Sequence, residues 1–371
     1  MTEIVAHGTA DAPFEPMREI FARMLSDQGE GGAAFTIYQG GRPVVDLWGG
    51  TYVRDSVQLV FSVGKAVVAI AAAMAAERGL LDLDAPVGEY WTAFRRDSVA
   101  KITPRIILAH RAGLPAFHHQ VDLEGILTGE DVVAVETQEP FWEPGAGHGY
   151  HAFSFGTLMN EVFTRALGRT LSEFVASEIS GPLGLDFWFG VPTDAMDRLV
   201  PVMTEPADIS DERARFSAST GIPPATTSYV RRTLDLANEP RFLRASFPAA
   251  NGVSSARALA RLFEATRTEV DGVRLLSAGA RDAMIETRSR GIDRVLGFPI
   301  HFGSGVQRPF PQFAMLSSAS YGHEAAGGSA AFADEANGLS VGYTTSVHPA
   351  MAGASARFLA LMPAIRACLG G

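Results

Sequence analysis

The segment that most constrains this chain is an uninterrupted apolar run of 11 residues, from Ala66 to Ala76. A helix drawn through it is hydrophobic on every face, and such a helix lies inside a protein or a membrane. A transmembrane helix needs about 20 apolar residues, so this run is too short to cross a bilayer. It also ends at a charged pair, Glu77 and Arg78. The sequence therefore predicts a helix buried in a protein core, and no membrane partner.

The bulk composition fits a globular protein and excludes one class of partner. The chain has 371 residues, 47% hydrophobic and 19% charged, enough for one large domain with two lobes or for two domains. A formal net charge of −10 argues against nucleic acid, because phosphate binding needs a basic surface. The only cysteine, Cys368, cannot form an intrachain disulfide. Because residues 1–17 also lack a cationic start followed by an apolar run, we expect a cytoplasmic protein.

The order of the predicted elements indicates a mixed α/β (α+β) fold. Two apolar segments, 33–38 and 43–48, predict an early hairpin around a Gly40-Gly41 turn. Helices are predicted at 155–167, 171–179 and 357–369, with Gly168 as the break between the first two. Strand patterns return at 298–303, 313–317, 328–333 and 339–346, and Asn337-Gly338 is typical of a hairpin turn between the last two.

Strands near both termini predict a central antiparallel sheet built from the two ends of the chain and flanked by helices. An inserted, mostly helical lobe would complete a single domain. Residues 1–80 and 250–371 would form the α/β lobe, and residues 81–249 the helical lobe. Residues 201–240 show no clear period, and we expect them to form loops over a cleft between the lobes.

A candidate nucleophile precedes the predicted buried helix. Ser62 and Lys65 are three residues apart, which places both side chains on one face of a helix. A serine hydroxyl is a weak nucleophile unless a base takes its proton, and burial would lower the pKa of the Lys65 amine and make it such a base. The commoner meaning of this spacing is an N-cap serine followed by a solvent-facing lysine. However, Lys65 is the only charged residue between Ser62 and Ala76.

Two further segments carry groups that could serve the same chemistry. A glycine-rich loop ends at Tyr150, whose phenol could move a proton between Ser62 and a leaving group. The histidines beside it, His148 and His151, have no acidic or cysteine partner at ligand spacing, so no metal is predicted. In the second segment, 321–329, small residues let the backbone approach a ligand, and an N–H there could join that of Ser62 in an oxyanion hole.

Ser340 is a competing nucleophile. The segment Gly338-Leu339-Ser340-Val341-Gly342 matches the G-x-S-x-G elbow of α/β-hydrolases. That elbow requires a strand, a sharp turn and a helix, whereas Ser340 lies inside a strand pattern with no helix after it. We therefore interpret the match as a coincidence.

Three segments of the chain resemble, in order, the three active-site motifs of the serine β-lactamase and penicillin-binding protein superfamily. They are Ser62-x-x-Lys65, Tyr150-His151-Ala152 and His323-Glu324-Ala325. The similarity is greater to its class C-like branch, which includes the family VIII carboxylesterases. Connecting segments agree, since Ile102 to Pro115 resembles the branch's IT...LL.H.SGLP stretch and Gly181 to Leu185 its PLGM segment.

The resemblance implies a β-lactamase-like catalytic domain that uses no metal or cofactor. Ser62 would be the acylated nucleophile, Lys65 its hydrogen-bonded base partner, and Tyr150 the general base that also protonates the leaving group. The N–H groups of Ser62 and Ala326 would form the oxyanion hole. The other implied contacts to the substrate are those of His323, Ala325, Ala152 and Gly327.

Two departures from the family pattern bear on the substrate. Ala152 stands where many relatives carry asparagine, and His323 where many carry lysine. An imidazole is mostly neutral at pH 7 and anchors a carboxylate less well than an ammonium. We therefore expect a carboxylesterase acting on small esters of short or medium acyl length. The alternatives are a β-lactamase or D-amino peptidase with the same site, and a non-catalytic penicillin-recognising homologue.

Overall fold

The two hairpins expected near the ends of the chain form the middle of one large sheet. The computed structural model describes residues 4–204, 235–348 and 356–370, so most of the predicted loop region 201–240 lies outside the described residues. The strands are β1 (His7–Ala10), β2 (Gly32–Gln39), β3 (Arg42–Gly50), β4 (Gln58–Phe61), β5 (Phe187–Phe189), β6 (Met203–Thr204), β7 (Gly252–Ser254), β8 (His301–Phe302), β9 (Gln307–Arg308), β10 (Ser320–Glu324), β11 (Ala330–Asp334), β12 (Leu339–Thr345) and β13 (Val347–His348).

The helices follow most of the predicted positions. They are α1 (Pro16–Gln28), α2 (Val63–Glu77), α3 (Pro104–Leu108), α4 (Leu123–Thr128), α5 (Glu130–Thr137), α6 (Ser154–Leu167), α7 (Leu171–Val175), α8 (Gly181–Leu183), α9 (Pro240–Arg244), α10 (Ala256–Arg267), α11 (Ala278–Ile285) and α12 (Ala356–Leu369). Gly168 ends α6 in the left-handed conformation, as a helix break requires. Within the described ranges, no helix is long and apolar enough to cross a bilayer.

The main sheet confirms the predicted assembly from both termini. Its eight strands run in the order β1-β3-β2-β12-β11-β10-β9-β8, and every neighbouring pair is antiparallel. The N-terminal hairpin joins the C-terminal one where β2 pairs with β12, from Ala33 opposite Thr345 to Gln39 opposite Leu339. The two ends of the chain are therefore held together by backbone hydrogen bonds.

Helices cover both faces of this sheet because its side chains alternate between two apolar clusters. Ala331 and Ala333 of β11 belong to the cluster that includes α2 and α10. Ala330 and Phe332 belong to the other, which α1 and α12 cover. Helix α2 lies inside the first cluster, and every residue from Val63 to Ala75 is buried. The predicted core helix is thereby confirmed.

Three features of the fold differ from the sequence prediction. The predicted strand 313–317 is wrong, because Met315 takes a left-handed backbone conformation with φ 51° and Phe313 only bridges to Phe310. The predicted strand 298–303 shortens to β8. A second sheet of three strands, β4-β7-β5, was not predicted. Its strands have only three or four residues each, too few for an alternating pattern to be read.

Candidate active site

A strained turn places Ser62 at the beginning of the buried helix. Strand β4 ends at Phe61, whose φ of 42° is unusual for a bulky side chain. Such outliers persist only where the surrounding structure enforces them. Ser62 then occupies the N-cap position of α2, and its side chain remains partly exposed while both neighbours are buried. The hydroxyl therefore faces an opening at the positive end of the helix.

Lys65 makes three polar contacts from a completely buried position. Its Nζ lies 3.1 Å from Ser62 Oγ. It also donates to the carbonyl oxygens of Ala152 at 2.8 Å and of Ala249 at 2.9 Å. Burial lowers the pKa of the Lys65 amine well below its ordinary value of 10.5. Two of the amine's hydrogen-bonding directions are thus taken by carbonyl oxygens, and the third points at the Ser62 hydroxyl.

Tyr150 meets Ser62 from another segment of the chain. Its phenol is hydrogen-bonded to the Ser62 side chain, and burial raises the pKa of the phenol above its ordinary value. The Lys65 nitrogen lies 5.0 Å from the centre of the Tyr150 ring. The phenol is thus protonated at rest, beside a hydroxyl and an amine, and can relay a proton between them and a ligand.

His110 and Asp293 hold the backbone around Tyr150. The Tyr150 N–H donates to Asp293 Oδ1 at 3.0 Å. The N–H groups on either side also have fixed partners, because Gly149 donates to the His110 carbonyl and His151 donates to His110 Nδ1, both at 3.0 Å. The His110 ring packs 5.0 Å from the Tyr150 ring. Neither residue has a role predicted from the sequence, although His110 lies in the stretch that resembles the family.

His323 approaches the same site from β10. The centres of its ring and of the Tyr150 ring are 6.2 Å apart. Burial, aided by the nearby Lys65, lowers the pKa of the imidazole to about 3, so the ring is neutral. Nδ1 is hydrogen-bonded to the Glu324 carbonyl oxygen and must be the protonated nitrogen. Nε2 is therefore a hydrogen-bond acceptor, and within the described ranges no residue bonds to it.

His348 contacts both the loop after β10 and the strand that precedes Ser62. An added Cβ on Gly327, whose φ is 94°, would lie 2.3 Å from His348 Nδ1, so the loop backbone runs directly against that imidazole. The same ring packs edge-on against Phe61 with centres 5.2 Å apart. Ala326 is partly exposed between the buried Ala325 and Gly327. The predicted oxyanion residues thus lie on two segments bridged by His348, which the sequence analysis missed.

Most of the predicted site residues are brought together by these contacts. Ser62, Lys65, Tyr150 and the Ala152 carbonyl are joined directly. The Ala152 side chain is partly exposed, as are those of Ser62 and Tyr150. Ala249 is an addition that the sequence did not signal, with a φ of 115° that is rare for alanine. Its neighbour Asn251 is buried and bonds the carbonyls of Phe242 and Ala245, which fixes the loop.

Ser340, the competing nucleophile, lies elsewhere. It is completely buried in β12, and its Oγ donates to the Ala260 carbonyl at 2.7 Å. No turn or helix follows it, since β12 continues to Thr345. The G-x-S-x-G match is therefore a coincidence of sequence, as predicted.

The chain is similar to known proteins over most of its length. Residues 17–362 match the Beta-lactamase family. Esterase/beta-lactamase LipL of Mycobacterium tuberculosis is 32% identical over 361 residues, which span 90% of this chain and 81% of that protein. The crystal structure of a family VIII carboxylesterase matches with a TM-score of 0.87 and 26% identity, over 98% of this chain and 99% of that chain.

A penicillin-binding protein homologue from Caulobacter crescentus is similar to the same extent. Its TM-score is 0.86 and its identity 30%, over 98% of this chain and 99% of that chain. The family match covers most of the sequence, and it includes all three motifs that carried the resemblance. The chain therefore belongs to the beta-lactamase family of serine hydrolases.

Proposed function

We propose that this protein is a carboxylesterase that hydrolyses small, uncharged esters of short or medium acyl length through an acyl-enzyme at Ser62. The observation that carries the proposal is the environment of Lys65. Its amine is buried, lies 3.1 Å from Ser62 Oγ and has both of its other contacts to carbonyl oxygens. Burial lowers the pKa of this amine, which favours its uncharged form and so its role as acceptor of the Ser62 proton.

Acylation would proceed by a balanced transfer of one proton. Ser62 Oγ attacks the ester carbonyl while its proton passes to Lys65, and the N–H groups of Ser62 and Ala326 stabilise the oxyanion. When the tetrahedral intermediate collapses, the bond to the alkoxide breaks. Tyr150 gives its proton to that alkoxide and recovers one from Lys65. Water then repeats the sequence on the acyl-enzyme and releases the acid.

The directions of the two pKa shifts indicate which group accepts the Ser62 proton first. Burial lowers the pKa of Lys65 and raises that of Tyr150. These directions favour an amine that can accept a proton and a phenol that keeps its own. This supports Lys65 as the first proton acceptor and Tyr150 as the relay to the leaving group, whereas the family resemblance assigns the general-base role to Tyr150.

The charge of the site favours a neutral substrate. The His323 ring is neutral where many relatives have an ammonium. The site therefore lacks the positive charge that would attract a carboxylate at this position. Ala152 also lacks the side-chain amide found in many relatives. Both features favour an ester over a β-lactam or a peptide C-terminus, and a carboxylesterase is among the related structures.

A second candidate is a β-lactamase or D-amino peptidase with the same nucleophile. It is favoured by the similarity to a penicillin-binding protein homologue and to a relative described as both esterase and β-lactamase. The purified protein should therefore be offered nitrophenyl esters of increasing acyl length, nitrocefin and D-alanyl peptides side by side. We expect turnover of the esters to exceed that of the other two classes. The reverse order would replace the proposed substrate class.

The nucleophile is tested by a matched pair of variants. Ser62→Ala should lose ester hydrolysis and labelling by a fluorophosphonate, as measured by mass spectrometry of the intact protein. Ser340→Ala removes a buried serine hydroxyl outside the site and should retain both. Full turnover by the Ser62→Ala protein would refute the assignment. Wild-type protein that forms no adduct and hydrolyses nothing would indicate the non-catalytic homologue instead.

A further inference from the structure

The loop after β10 is a tight turn with Ala326 as its second residue. The Gly328 N–H donates to the Ala325 carbonyl at 3.1 Å, and the Ala325 N–H donates to the Ser329 carbonyl at 2.9 Å. A turn closed in this way with a positive φ only at its third residue is of type II, and Gly327 occupies that position with a φ of 94°. Because the backbone on both sides of Ala326 is fixed, its N–H moves only if the whole turn moves.

The His348 ring contacts this turn and also the residue before Ser62. The ring is completely buried. An added Cβ on Gly327 would lie 2.3 Å from Nδ1 and 2.6 Å from Cγ, so one edge of the ring lies directly against the Gly327 backbone. Phe61 packs edge-on against the same ring, with centres 5.2 Å apart. A change at His348 therefore acts on both segments that carry the proposed oxyanion N–H groups.

The His348 ring is itself held in place. Its Nε2 donates to the Thr345 carbonyl oxygen at 2.9 Å. The backbone of the same segment is fixed from two sides, because the Ser346 N–H donates to the Gly32 carbonyl at 3.0 Å and His348 pairs with Thr204 of β6. A ring anchored in this way is a rigid spacer between the segments that it contacts.

The protonation of the His348 ring suits this close approach. Burial lowers the pKa of the imidazole to about 4, so the ring is neutral at pH 7. Because Nε2 is the donor, Nδ1 carries no hydrogen. No hydrogen bond reaches Nδ1 from the residues that the structure describes. A hydrogen at that corner of the ring would point at Gly327 and push the turn away.

We propose that His348 is a positioning residue that fixes the turn of Ala326 relative to Ser62, so that both N–H groups bind the same oxyanion. This inference rests on the proposed function, because the oxyanion belongs to that reaction. His348 acts through Gly327 and Phe61 and does not itself touch the substrate. An oxyanion hole acts mainly in the transition state, so a displaced turn should lower kcat and leave KM nearly unchanged.

Comparison of an ester with its thionoester tests the positioning role. His348→Ala should lower kcat for a nitrophenyl ester by roughly 10²-fold, the effect of about one lost oxyanion donor. Sulfur is the weaker hydrogen-bond acceptor, so the thionoester should lose less, and the ratio of the two rates should shrink roughly tenfold. A loss of folded protein would lower both rates equally. His7→Ala is the control, since it removes an exposed imidazole stacked on Trp48 and should change neither rate.

A double-mutant cycle tests the contact with Gly327. Gly327→Ala alone places a Cβ against the ring and should lower kcat. In the His348→Ala background the Cβ has room, so the same change should lower kcat roughly tenfold less, as expected for residues in contact. His348→Gln keeps a donor for the Thr345 carbonyl and replaces His348→Ala if that variant does not fold. An additive cycle, or an unchanged rate ratio in a folded His348 variant, would overturn the inference.

The rate of fluorophosphonate labelling separates this inference from the proposed function. The reagent reacts at Ser62 and places a phosphoryl oxygen in the same hole, whichever ester the protein hydrolyses. If the wild type is labelled but hydrolyses no ester, the proposed substrate class fails, and slower labelling of His348→Ala would still support the positioning role. Equal labelling rates of the wild type and the folded variant would overturn that role. A wild type that forms no adduct would overturn both.

Discussion

Replacing Lys65 with methionine tests whether the amine is uncharged in the folded protein. Methionine occupies similar space without an ionisable group. Lys65 is completely buried, and desolvation lowers the pKa of its amine well below 10.5. In the unfolded chain the lysine regains its ordinary pKa and carries a proton at neutral pH. At pH values between the folded and unfolded pKa of Lys65, unfolding of the wild type therefore takes up a proton that unfolding of the Lys65→Met variant does not.

This proton sets the magnitude and the sign of the pH dependence of stability that distinguishes the wild type from Lys65→Met. Stability rises with pH wherever the unfolded state binds more protons, by about 1.4 kcal/mol per pH unit for one proton. The folded-state pKa of Lys65 is the lower one, so its contribution to stability is fully present above the unfolded pKa of 10.5 and is lost as the pH falls from there. Between the folded and unfolded pKa values of Lys65, the unfolding free energy of the wild type should rise with pH relative to that of Lys65→Met, at up to about 1.4 kcal/mol per pH unit.

Urea unfolding followed by tryptophan fluorescence at several pH values provides the measurement. Groups that titrate alike in both proteins cancel in the difference between the two curves. Lys101→Met is the matched control, because the Lys101 side chain is 76% exposed. The difference in unfolding free energy between this variant and the wild type should not change with pH. A difference between wild type and Lys65→Met that stays constant with pH would mean a buried ammonium. Lys65 could then not take the proton of Ser62.

Three further predictions concern other groups at the site. Tyr150→Phe should lower kcat for ester hydrolysis by roughly 10²- to 10⁴-fold at an unchanged urea midpoint. The control is Tyr90→Phe, which removes another buried hydroxyl. An unaltered kcat in Tyr150→Phe would exclude proton transfer by the phenol. His323→Lys should raise kcat/KM for nitrocefin relative to nitrophenyl acetate by roughly tenfold, since a hydrogen bond to a charged group contributes about 1.5 kcal/mol or more. If the ratio of the two kcat/KM values is the same as in the wild type, residue 323 does not contact the carboxylate. Gly327→Ala should lower kcat by roughly 10²- to 10³-fold, because the new Cβ would lie 2.3 Å from His348 Nδ1 and displace the loop that carries Ala326. Gly272→Ala, at a similar φ of 81° with no atom within 4 Å, controls for backbone strain, and full activity of the Gly327 variant would remove that loop from the oxyanion hole.

The parts of the fold that were predicted correctly are those that a local pattern encodes. The apolar run after Lys65 could only be a buried helix, and α2 is buried from Val63 to Ala75. Asn337-Gly338 lies in the turn that connects β11 to β12, and Gly338 has a φ of 65°. The strand predicted around Met315 failed because apolar periodicity carries no information on a left-handed residue inside the segment.

The sequence by itself determined that Ser62 and Lys65 share one face of a buried helix, because a spacing of three residues is nearly one helical turn. Only the tertiary structure decided what the Lys65 nitrogen meets. Its partners are the carbonyls of Ala152 and Ala249, 87 and 184 residues further along the chain. Every residue has a carbonyl, so no side-chain identity marks these two in advance. Their positions follow from how distant segments pack around α2, which local spacing does not encode.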